Sequence, residues 1–115
     1  MLETPRFIQG LFPFQGKGLA APGPLQPEVA YKVPEDKRSQ LIYFRAGNSA
    51  SELIYFVVRR NGSPMRYFPV GAKSGIHISL AVVEDLHPGT LVDVLLAAPE
   101  GVSGQALLDV GFMEF

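Results

Sequence analysis

The chain has 115 residues, a net charge of −1 and no cysteine, with 47% hydrophobic and only 18% charged residues. That length fits a single domain around one core, and the absence of a basic excess excludes a nucleic-acid footprint. Without cysteine there are no disulfides, thiolate metal sites or cysteine nucleophile, and a mean hydropathy of +0.17 predicts apolar surface that wants cover.

Residues 1–27 stand apart. They hold five prolines and four glycines with three charges (Glu3, Arg6, Lys17), yet also Phe7, Ile8, Leu11, Phe12 and Phe14. Disordered tails are polar, so this segment reads as an irregular apolar arm that packs on a surface. It has no basic n-region followed by an apolar run, so no signal peptide is expected, and a cytoplasmic location follows as the expectation. No apolar stretch is long enough for a transmembrane segment.

From residue 28 onward helical periodicity is nearly absent, and Val, Ile, Tyr and Phe cluster between turn signals. Strands are predicted at 28–33, 39–46, 53–60, 63–70, 76–83, 90–98 and 104–115. Asn61-Gly62 is a strong two-residue hairpin signal, since both residues tolerate positive φ. The pattern predicts an all-β fold: an antiparallel β-sandwich of about seven strands at 28–115, immunoglobulin-like or jelly-roll, behind the arm.

A two-residue turn pairs Arg60 with Ser63. Ile54, Phe56, Val58, Met65 and Tyr67 then share one face, with core composition. Leu53, Tyr55, Val57, Arg59, Arg66, Phe68 and Val70 share the other, and Tyr43 and Arg45 extend it from the preceding strand, where Ile42 and Phe44 point to the core. A Tyr/Phe/Arg surface suits a partner. The plainer alternative is inter-sheet core with arginine stems at its rim.

Asp85-Leu86-His87-Pro88-Gly89-Thr90-Leu91-Val92-Asp93-Val94 resembles the E–F corner of fibronectin type III and related immunoglobulin-like sandwiches. There a Leu-x-Pro-Gly-Thr stretch leads into a strand of alternating apolar residues. The resemblance implies such a sandwich and no activity. It departs where Val92 replaces the corner tyrosine.

Chemistry-bearing constellations are sparse. His77 and His87 belong to different elements and lack companions at metal-ligand spacing. The serines sit in loops without the strand–elbow–helix context of a nucleophile. Asp93 and Asp109 lie mid-strand, as cross-strand partners for arginines or, less simply, as a carboxylate pair for glycoside hydrolysis. Gly16-Lys17-Gly18 lacks the strand and helix of a phosphate loop. No catalytic residue, metal or cofactor is assigned.

The main expectation is therefore a non-enzymatic structural or assembly subunit and an oligomer. It would pack on copies of itself or on a larger protein complex, with no nucleic-acid partner. The contact residues would be Phe7, Ile8, Leu11, Phe12, Phe14, Tyr43, Arg45, Tyr55, Arg59, Arg66 and Phe68. The alternative is a small carbohydrate-binding module, with Tyr43, Tyr55 and Tyr67 as stacking platforms.

Overall fold

A computed structural model describes residues 3–115, and every regular element among them is a strand. In chain order these are β1 (Thr4–Gln15), β2 (Gly23–Pro24), β3 (Ala30–Lys32), β4 (Ser39–Asn48), β5 (Ile54–Arg60), β6 (Ser63–Val70), β7 (Ser74–Leu86), β8 (Leu91–Ala97) and β9 (Ser103–Glu114). Two antiparallel sheets form a sandwich. One, here sheet A, runs β1-β9-β4-β7; the other, sheet B, runs β2-β8-β5-β6, with β3 continuing the β2 edge alongside β8. Among the described residues β5 and β6 are the only consecutive strands that pair with each other, and the first and last strands are neighbours. This is the strand order of a jelly roll, so the sandwich is present without the immunoglobulin arrangement. The 85–94 stretch does turn a corner between sheets. Its Gly89 takes φ +80°, and the Gly89 N–H donates to the Val33 carbonyl.

The predicted strands recur as β3 to β9, and the hairpin is as expected. Asn61 and Gly62 adopt φ of 48° and 83°, and Arg60 pairs with Ser63. Two findings differ from the sequence reading. The first concerns the arm. Residues 4–15 form a twelve-residue strand whose register against β9 is unbroken from Thr4↔Glu114 to Gln15↔Ser103. Pro5 and Pro13 obscure it in the sequence, but β1 is an edge strand, where proline's missing N–H is tolerated. Ile8 and Phe12 point inward and join the core. Gly10 makes room for the Phe12 ring, since a β-carbon there would lie 2.6 Å from it.

The second concerns β6. Val58 faces Arg66, but Arg59 faces Pro64, so Met65 is an extra residue in the ladder. This bulge beside a proline reverses the faces beyond it. Phe68 and Val70 are core, and Tyr67 is 60% exposed. Phe68 stacks on Phe44 with centroids 4.0 Å apart, and Phe56 meets Phe44 edge-on. Each such buried ring contributes about 1.5–3 kcal/mol of transfer free energy.

Polar groups close the ends of this core. Glu114, 2% exposed, accepts from the Tyr31 hydroxyl at 2.6 Å and from Arg6 at 3.3 Å, which ties β9 to β3 and β1. Burial, then the hydrogen bond to Glu114, pushes the Tyr31 phenol up to about 12. At another corner Arg60 and Arg66 of sheet B both hold Glu84 of sheet A, at 3.2 and 2.7 Å.

Candidate functional site

The loop at 49–53 carries the chain from sheet A to sheet B, so the expected Tyr/Phe/Arg face is divided. Tyr43 and Arg45 lie on the outer face of sheet A. Tyr55 and Arg59 lie on the outer face of sheet B, Phe68 is buried, and Arg66 turns inward to Glu84. Of the arm residues, Phe7 and Leu11 alternate outward beside Tyr43 and Arg45, Ile8 and Phe12 are core, and Phe14 packs partly against it. Four of the residues singled out from sequence thus share one surface.

Register places that surface in rows running across β1, β9, β4 and β7. The first row is Phe7, Gly111, Tyr43 and Ser79. The second is Gln9, Asp109, Arg45 and His77, polar on every strand. The third is Leu11, Leu107, Gly47 and Gly75. Asp109 is the hub. Its Oδ1 accepts from the Tyr43 hydroxyl at 2.8 Å and from Gln9 Nε2 at 3.2 Å, while Arg45 Nη1 stands 4.0 Å from Oδ2. Tyr43 lies flat across Gly111, where a β-carbon would overlap its ring, and its edge meets His77 with centroids 5.7 Å apart. Burial, then Asp109, raises the Tyr43 phenol above its ordinary value, so it remains a hydrogen-bond donor through neutral pH. Phe7, Leu11 and Leu107 frame the polar row at 55%, 61% and 47% exposure.

This face can do two things at once. Its apolar frame and the Tyr43 ring offer flat contact area, and the second row offers amide, carboxylate, guanidinium and imidazole groups with unused hydrogen-bonding capacity. Gln9 and Leu107 were missed in the sequence. Gln9 sat within a segment read as irregular, yet the alternation Phe7, Gln9, Leu11 was the signal that would have placed it.

The outer face of sheet B is more closed. Arg59 grips Asp93 through two hydrogen bonds of 2.8 and 2.6 Å, and these hold its guanidinium above its ordinary pKa. The Tyr55 hydroxyl donates to the Leu19 carbonyl. Both mid-strand acids do pair with arginines. They also lie on opposite outer faces with the core between them, so they do not form a carboxylate pair. His87 sits apart from His77, in the turn before β8. Among the described residues no group of three or more histidines and acids is placed to hold a metal ion.

No family model matches the chain, and no curated protein matches it in sequence. Solved structures do resemble it. The CBM36-1 domain of a multidomain xylanase from the hindgut metagenome of Trinervitermes trinervoides aligns over 96% of both chains, with a TM-score of 0.59 and 12% identity. The exo-beta-1,3-galactanase of Phanerochaete chrysosporium aligns over 100% of this chain but 30% of its own, with a TM-score of 0.44 and 13% identity. At these identities the first likeness shows the fold, an all-β sandwich.

Proposed function

We propose that this chain is a non-catalytic carbohydrate-binding module that takes its ligand on the outer face of sheet A. The observation that carries the reading is the exposed polar row centred on Asp109, set between Phe7 and Tyr43 on one side and Leu11 and Leu107 on the other. A pyranose presents apolar C–H faces and a rim of hydroxyls that both donate and accept. The face answers with apolar patches beside Gln9 and Asp109, which hydrogen-bond each other, and beside Arg45, and all three reach solvent. Arg45 and Asp109 cancel in charge, which fits a neutral glycan. The fold shared with a carbohydrate-binding module of a xylanase supports the same reading.

Isothermal titration with linear xylo-oligosaccharides, and affinity electrophoresis through soluble polysaccharides, test it. Asp109→Asn is expected to weaken binding about tenfold or more, as the site loses its charged acceptor. A full-length chain that retains none of these glycans, or an Asp109→Asn variant that binds unchanged, refutes the reading.

The exposed Phe7, Leu11 and Leu107 favour a second reading, in which the edge strand β1 seats another copy or a larger protein partner. Light scattering of the intact chain against Leu11→Lys separates the two. An oligomer dispersed by the lysine supports assembly, and a monomer in both supports the glycan module.

A further inference from the structure

The polar row occupies only part of the face. Two hollows lie on it, one of about 480 Å³ beside Gln9, Arg45 and Asp109, the other of about 550 Å³ beside Asn48, Ser49 and Gln105. Both are bounded by Leu11 and Leu107, so they share an apolar ridge. We infer that the ligand is an internal stretch of a linear, neutral polysaccharide lying lengthwise along β9, with its hydroxyls in both hollows and a ring face on the ridge. The inference rests on the carbohydrate-binding reading and specifies its substrate class.

Strand geometry sets the scale. Asp109 and Gln105 point to the same side of β9 four residues apart, or about 14 Å at the usual rise. One pyranose cannot reach both, whereas a short linear oligosaccharide spans them. Between them stands the Leu11–Leu107 ridge, apolar and half exposed, which suits the C–H face of a ring. Beside the ridge β4 has Gly47, so no side chain stands in the path; a β-carbon there would touch Leu107 at an ordinary 3.5 Å. The far hollow has its own hydrogen-bonding groups. The Ser49 Oγ accepts from the Gln105 backbone N–H, which leaves its O–H free to donate, and the Gln105 side chain is exposed. Polar, apolar and polar zones therefore follow one another along the strand. Phe7 and Tyr43 continue the surface beyond Asp109, so no wall selects a chain end.

The test is titration of the full chain with linear xylo-oligosaccharides from disaccharide to hexasaccharide. Affinity is expected to rise about tenfold or more up to the length that bridges both hollows, then level off. Gln105→Ala and Gly47→Tyr are each expected to remove that rise while leaving disaccharide affinity within about twofold; Asp109→Asn weakens every length. Gln105 is exposed, so its variant keeps the fold if Gly47→Tyr does not. Disaccharide binding that Asp109→Asn weakens, with no gain in longer chains, overturns the lengthwise site and leaves the carbohydrate reading standing. Binding by no member of the series overturns both.

Discussion

The two outer faces of this sandwich obey the same alternation and end up differently. On sheet B, Arg59 and Asp93 satisfy each other through two short hydrogen bonds, the Tyr55 hydroxyl is committed to Leu19, and Val57 is buried although it points away from the core. On sheet A, Asp109 collects Tyr43 and Gln9 while Arg45 stands at 4.0 Å with most of its donors free. The difference arises from the course of residues 3–27. Their second part, through β2, runs along sheet B. Their first part adds a strand to sheet A, which widens that face, and no other described residue covers it. An ion pair closed on itself is structural; one left loose and framed by apolar area is available to a ligand.

The largest expected effect comes from breaking the strand that widens the open face. Phe12→Ala removes a buried ring from β1 and should cost about 3–5 kcal/mol, read as a lower urea midpoint. Glycan affinity should fall with it, because Gln9 and Leu11 sit on the same strand; an unchanged midpoint means that β1 is not held by its inner face.

Tyr31→Phe comes next. Glu114 keeps Arg6 but loses a charge-assisted hydrogen bond, at about 1.5–3 kcal/mol. The pH dependence has a definite sign. Tyr31 is raised from 10.0 to about 12 in the folded protein, so its contribution is complete below pH 10 and is lost as pH climbs towards 12. Denaturant midpoints of the wild type should fall over that window, and Tyr31→Phe should fall less. Parallel curves for the two proteins contradict the assignment.

On the closed face, Arg59→Ala should cost about 1 kcal/mol, since the pair is bidentate yet partly exposed, and should leave glycan binding within error. On the open face the balance reverses. Arg45→Ala should change stability by roughly 0–1 kcal/mol, the value of an exposed pair at long distance, while weakening glycan binding several-fold. Equal effects of the two arginines on binding would erase the distinction between the faces.

Much of the scaffold was legible from the residues. Asn61-Gly62 announced its hairpin through positive φ, and the strand expected at 76–83 lies within β7. The faces were harder. The bulge at Met65 shifts side chains by one position without any change in hydrophobic content, so Phe68 and Tyr67 exchanged places relative to simple alternation. The strand in 4–15 was masked because local propensity counts Pro5, Gly10 and Pro13 as breakers, whereas an edge position and the Phe12 ring make them acceptable. The site was half visible. Tyr43, Arg45, Phe7 and Leu11 were recognised one by one, but only register brings them beside Asp109. Pairing between strands about 100 residues apart depends on the topology of the whole sandwich, which no local window contains.

Thr4 pairs with Glu114, and the Arg38 and Phe115 backbones exchange hydrogen bonds beside them. Residues 4 and 114 therefore lie side by side. The chain is nearly a closed ring with a removable seam. A short linker across the seam and a new cut at Asn61-Gly62 would give a circular permutant with every ladder intact. Such a rearrangement would leave the three rows on the outer face of sheet A as they are.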